Sequence, residues 1–194
     1  VSKEDSLTYS VGFRAPSVRD VVDGVSTSAL EHLLEDDRYQ DTFASLQAER
    51  AEIPDKALQQ IQELLLSAVN NEALVRSWFG QYVTERKYPE QDDISSDTDA
   101  WFQRLAGGEV LIKHPSARFA YTKEESQPVI KNAILFVDGE EYWASYLLAS
   151  YLANQYEIDS QYLLDLLTSD SDRVLIESLI VAGALVFEED LMGE

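Results

Sequence analysis

An α+β fold, mainly helical, is predicted by three features of this sequence. Apolar residues between Val18 and Val83 recur at helical spacing, short β-branched and aromatic runs follow Gly108, and three further helical stretches come after those runs. The order predicts a helical region over residues 17–90, expected to dimerise, and a winged-helix-like domain over residues 98–194.

Thr8 to Arg14 is a strand-forming run closed by Pro16. A lone strand has unpaired donors and acceptors on both edges, so it either joins a sheet outside these residues or lies irregularly on the helices that follow. Ser17, with Asp20 three residues on, caps the first helix, whose apolar positions run from Val18 through Val21, Val25 and Ala29 to Leu33. This is one helix, or two hinged near Gly24. Glu35 to Pro54 is charged and irregular, with Tyr39, Phe43 and Leu46 as anchors. Pro54-Asp55 opens a second helix, in which Leu58, Ile61, Leu65 and Ala68 form a stripe beside Leu64. A third follows Asn70-Asn71. Its Leu74, Val75, Trp78, Phe79, Tyr82 and Val83 form two adjacent rows, wider than a single partner helix needs. Whatever part of that face the first two helices leave uncovered is an expected subunit interface. Pro89 stops the helix, and Glu90 to Asp99 reads as an acidic linker.

The second half starts with a short helix around Trp101-Phe102-Leu105, ended by Gly107-Gly108. Strands are predicted at Glu109 to Lys113, Ala117 to Thr122 and Ala133 to Val137, with Asp138-Gly139 as a two-residue hairpin turn. Helices at 144–155, 160–167 and 171–182 and a last strand at Leu185-Val186-Phe187 complete a small sheet with about three packed helices. That combination is the outline of a winged helix.

Composition narrows the chemistry. At 194 residues and 45% hydrophobic, the chain has enough apolar surface for one core or two small ones. A formal charge of -21 opposes binding to nucleic acid phosphates or an anionic membrane surface and favours a basic partner. From Asn132 to Glu194 one basic residue, Arg173, faces thirteen acidic ones, a net of -12, so the winged-helix outline is not expected to read DNA. The chain has no cysteine and only two histidines, His32 and His114, which excludes zinc sites on ligand count. Neither histidine belongs to a His-x-Asp pair, so the two-histidine, one-carboxylate face that holds non-haem iron is not available; His32 reads as a surface or capping residue and His114 as a loop residue. No Gly-x-Ser-x-Gly elbow is present, and Gly107-Gly108 reads as a helix stop, not a phosphate cradle. Trp78, Trp101 and Trp143 lie within apolar patterns and are expected in the core.

Tyr9-Ser10-Val11-Gly12-Phe13-Arg14-Ala15-Pro16 resembles the last barrel strand and exit of the bacterial Jumonji-C (cupin-like) ribosomal oxygenases of the ribosomal-protein arginine hydroxylase type. Trp78-Phe79-Gly80, Gly108-Glu109-Val110-Leu111, the Asp138-Gly139 hairpin and the Gly183 to Glu188 segment are similar as well, in the same order. The resemblance implies a parent with a double-stranded β-helix barrel carrying His-x-Asp and a later His, then a helical dimerisation region, then a winged-helix-like domain. It also implies hydroxylation of an arginine on a large-subunit ribosomal protein, using iron(II), oxygen and 2-oxoglutarate. Residues 1–16 would be the remnant of the last barrel strand, with every iron ligand before Val1 and this chain alone inactive. The sole methionine, Met192, fits a reading frame that begins upstream. On the resemblance, Thr8 and Ser10 face the cosubstrate pocket and touch 2-oxoglutarate in the parent, and Gly12, Phe13 and Arg14 shape the barrel exit; the competing reading makes them ordinary strand residues. The lack of cysteine and of any apolar run long enough to cross a membrane predicts a soluble cytoplasmic protein, and the implied partner is a basic ribosomal protein. The alternative is a free-standing acidic interaction module without enzymatic activity.

Overall fold

The computed structural model describes residues 15–33, 38–40, 51–86, 100–124 and 131–192. The expected strand over Thr8 to Arg14, the anchors Phe43 and Leu46, and the stop and linker from Pro89 to Asp99 lie outside them.

Helix α1 (Val18–Leu30) begins at the predicted capping box: the Ser17 hydroxyl accepts from the Asp20 N–H, and the Asp20 carboxylate accepts from the Ser17 N–H. It runs through Gly24 without a hinge. The glycine serves close approach instead, since a Cβ built there would fall 1.9 Å from Trp78 Nε1. Helix α2 (Asp55–Val69) starts at Pro54, and α3 (Glu72–Thr84) starts where the Asn71 side chain accepts from the N–H groups of Ala73 and Leu74. Val25, Ala29 and Leu74 form a small buried cluster, with Val21, Val69 and Trp78 packed against it. Tyr39, expected as an anchor, is exposed.

After α4 (Trp101–Ala106) the chain forms β1 (Leu111–Lys113), β2 (Phe119–Lys123), β3 (Asn132–Val137) and β4 (Glu140–Ser145). Then come α5 (Tyr146–Asn154), β5 (Glu157–Ile158), α6 (Ser160–Leu166), α7 (Asp170–Val181), β6 (Leu185–Phe187) and α8 (Glu188–Met192). There are two antiparallel three-stranded sheets where one was expected, ordered β5-β1-β6 and β2-β3-β4. The hairpin turn is as predicted: Asp138 and Gly139 have φ of 52° and 91°, the left-handed pair that a type I′ loop requires. Its second arm extends to Ser145, so α5 begins at Tyr146 and not at Ala144. Ala144 pairs with Ala133 across the ladder, and the Ser145 hydroxyl accepts from the Leu148 N–H to start the helix.

Strand β3 is buried on both faces. Ala133, Leu135 and Val137 join the main core, formed with α4, α5, α6, α7 and the β5-β1-β6 sheet. On the opposite face Phe136 meets α3 so closely that a Cβ on Gly80 would lie 2.3 Å from its ring. The broad face of α3 is therefore shared between α1, at Trp78, and the β2-β3-β4 sheet, at Gly80, Val83 and Thr84. The Thr84 hydroxyl accepts from the Gly139 N–H at 3.1 Å, tying the end of α3 to the hairpin turn. The helical region and the winged-helix region thus pack directly on one another.

Of the three tryptophans expected in the core, one is buried there, one partly and one not. Trp101 is buried and Trp78 half-buried, but Trp143 is 61% exposed. It stands on the edge strand β4 opposite Ile134, where only the start of α7 comes near and leaves most of the ring uncovered. An apolar-looking run cannot distinguish an edge strand from a central one.

Candidate protein-interaction surfaces

Thr8 and Ser10 lie outside the described residues. His32, just past α1, is exposed, with Nδ1 2.9 Å from the Ser28 carbonyl. His114, just past β1, is buried, with Nδ1 2.8 Å from the Ser116 hydroxyl. Among the described residues no three His, Cys, Asp or Glu gather where they could hold a metal ion. Nor is any described helix long and apolar enough to cross a membrane.

The first distinctive surface is apolar. Helix α2 buries none of its residues completely, and its predicted stripe of Leu58, Ile61 and Leu65 faces outward, Leu65 at 64% exposure. Leu64 and Leu66 are exposed too, and α1, which packs on α2, adds Val18, Val22 and Leu30. Single exposed apolar side chains are ordinary, whereas this density on two neighbouring helices marks a contact surface. Sequence patterning locates the stripe but places the expected interface on α3, most of whose face is taken up by α1 and the sheet. Val75 and Phe79 stay exposed on α3, so the exposed apolar surface spans α1, α2 and part of α3.

The second is electrostatic. Helix α6, a short turn and α7 form a helix-turn-helix, fastened by a box in which the Ser169 hydroxyl accepts from the Asp172 N–H at 3.2 Å. Asp172 accepts in return from the Ser169 N–H at 3.0 Å. The outward side of α7 shows Arg173, Val174, Glu177 and Val181, and Arg173 stacks over the Phe102 ring at 5.2 Å. Most other cations of the winged-helix half are also used internally. Arg104 reaches Glu109 at 2.7 Å and Asp190 through two bonds of 2.9 Å, while its guanidinium lies 3.9 Å from the Phe187 ring centroid. These contacts raise its already high pKa, the Asp190 hydrogen bonds most of all. Lys113 donates to the Ala153 carbonyl at 2.8 Å, and burial lowers its pKa to about 8. Arg118 donates to the Glu85 carbonyl at 3.0 Å, and Lys123 lies 5.3 Å over the Tyr146 ring. Arg104 and Lys113 are thus held within the fold, whereas Lys123, Lys131 and Arg173 stay at the surface, where carboxylates outnumber them. Sequence reading misses these partnerships because they join distant positions, as Arg104 and Asp190 do, and no local motif announces them.

Solved structures with this architecture are known. The chain matches the crystal structure of Escherichia coli ribosomal oxygenase YcfD with a TM-score of 0.73 at 21% identity, over 92% of this chain and 48% of that one. It matches the same protein in complex with cobalt and 2-oxoglutarate with a TM-score of 0.72 at 21% identity, over 92% and 48%. In sequence it is 27% identical over 115 residues to the ribosomal protein uL16 3-hydroxylase of Escherichia coli (strain K12), across 57% of this chain and 30% of that enzyme. The chain thus spans about half the length of the solved YcfD chains, and the alignment about a third of the hydroxylase. Residues 57–186 match the family described as ROXA-like winged helix, which covers α2 to β6 nearly complete, and the chain belongs to that family.

Proposed function

We propose that this chain is the helical and winged-helix part of an iron(II)- and 2-oxoglutarate-dependent oxygenase that hydroxylates an arginine of a large-subunit ribosomal protein in the cytoplasm. The observation that carries the reading is the family match over residues 57–186. The two histidines do not suit the metal: His32 and His114 lie on separate elements, each hydrogen-bonded locally and neither paired with a carboxylate in a His-x-Asp motif. The metal and most of the cosubstrate site therefore belong to the rest of a barrel whose last strand carries Thr8 and Ser10 as 2-oxoglutarate contacts. What these residues contribute is assembly and recognition. The exposed leucines and valines of α1 and α2 pair two copies, and the acidic winged-helix half attracts a basic ribosomal protein.

The test is turnover. The product of the complete reading frame, given iron(II), oxygen and 2-oxoglutarate, should add one oxygen to an arginine of a large-subunit ribosomal protein, read as about 16 Da by peptide mass spectrometry, while residues 1–194 alone leave the protein unmodified. Turnover by this chain alone, or a frame without His-x-Asp and a later His, refutes the reading.

A further inference from the structure

Between the C-terminal half of α3 and the β3–β4 turn lies an open cleft of about 350 Å³. Its aromatic wall is Trp78 and Tyr82, one helical turn apart, with ring centroids 5.3 Å apart and planes inclined at 31°. Facing them are Glu85, from the end of α3, and Glu140, just past the turn, both exposed and neither in an ion pair among the described residues. The geometry is held from below. Asp138 accepts from the Arg118 N–H at 2.8 Å and from Arg86 Nη2 at 2.5 Å, so its charge is committed to the turn. A Cβ on Gly139 would lie 3.7 Å from the Glu85 backbone, and the Gly139 N–H is fixed on Thr84. Neighbouring charges favour a cation: the carboxylates of Glu85, Asp138, Glu140 and Glu141 outnumber the guanidiniums of Arg86 and Arg118.

We propose that this cleft, between Trp78 and Tyr82 on one side and Glu85 and Glu140 on the other, binds an arginine side chain presented by a polypeptide. Aromatic faces attract cations through their quadrupole, and a planar guanidinium can stack on such a face while its edge N–H groups reach carboxylates. A lysine ammonium offers the charge without the plane. A phosphate or a carboxylate would meet repulsion from both glutamates. The volume accommodates one long side chain with its stem, and the open side lets the rest of a chain pass along the acidic surface. The assignment is independent of any oxygenase chemistry, because no reacting atom is involved.

Nuclear magnetic resonance titration of the 194-residue chain with acetyl-Gly-Arg-Gly-amide tests it, since the Trp78 indole N–H and the Gly139 amide report on the two sides of the cleft. The expected result is saturable movement of both signals. Exchanging arginine for neutral citrulline should weaken binding by about tenfold or more, and for lysine by a smaller factor. Glu85→Gln with Glu140→Gln should weaken arginine binding by about tenfold as well. Both positions are exposed, so the double variant keeps the fold, and an unchanged amide spectrum away from the cleft verifies it. Equal binding of the citrulline peptide, undiminished binding to the double variant, or a lysine peptide that binds as tightly as arginine overturns the proposal.

Discussion

Gly80 shows how much one hydrogen atom can decide. In a helix, alanine is favoured over glycine by about 1 kcal/mol, so Gly80→Ala would stabilise α3 if nothing lay beside it. What lies beside it is the Phe136 ring, fully buried, with three of its atoms 2.3–2.4 Å from the added methyl. Overpacking of that kind costs roughly 1–3 kcal/mol and here exceeds the helical gain, because the ring has no free volume to enter. Urea denaturation should show Gly80→Ala less stable by about 1–2 kcal/mol, with the slope unchanged; a variant as stable as the parent would mean that α3 does not rest on the sheet. Lys113 gives a pH signature. Its folded pKa of about 8 is below the unfolded value of roughly 10.4, so folding disfavours the charged form. The penalty is complete below pH 8 and fades as pH rises through the folded value toward the unfolded one. Between pH 7 and about 9.5 the wild type should therefore gain stability relative to Lys113→Met, which has no charge to lose; parallel profiles for the two proteins would contradict the burial. Of these residues, only the caps can be read from sequence. Ser17-x-x-Asp20 is a local pattern, whereas the neighbours of Gly80 and Lys113 come from elements far along the chain.

At the scale of elements, the helices follow from spacing and punctuation: Ser17, Pro54 and Asn71 each open one where expected. Strands are harder to read. β5 has only two residues, too few for any period, and the helix expected from Ala144 takes in the last two residues of β4, Ala144 and Ser145, because no polar break separates them from the helix that follows. Helix α2 is the most consequential element, since its periodicity predicts an apolar stripe while its single-copy environment leaves that stripe in water. Ile61 and Leu65 are already partly covered, so burying what remains on two copies would contribute roughly 3–6 kcal/mol to association. Ile61→Glu with Leu65→Glu should therefore abolish pairing while leaving the single-copy fold intact, because both side chains are already exposed in it. In sedimentation velocity the wild type should run at about twice 21.9 kDa and the variant at 21.9 kDa. A wild type that stays single at tens of micromolar would remove α2 from the interface.

For the whole molecule, the winged-helix character was legible, and the way the helices of the first half join it was not; the matched family itself starts at residue 57, ahead of the expected boundary. The linker-like composition of Glu90 to Asp99 suggests two independent bodies, yet α3 lies across the β2-β3-β4 sheet and shares its core. Charge was legible as a total, since counting residues yields the net of -12 from Asn132 onward. Its arrangement was not, because it depends on long-range contacts: Arg104 and Lys113 are held inside the fold, while Arg173 stays at the surface over Phe102. The arrangement of β5-β1-β6 has one more consequence. The middle strand arrives from far upstream, so Lys113 must find Leu185 across the whole intervening hairpin and three helices. Yet the Glu188 N–H already donates to the Val110 carbonyl at 3.0 Å, so the two strand ends lie within reach of a tight loop. That end contact can form only after the whole stretch has been looped out, so it is made late in folding. The β2-β3-β4 meander, whose strands are neighbours in sequence, is expected to be protected first in pulsed hydrogen exchange.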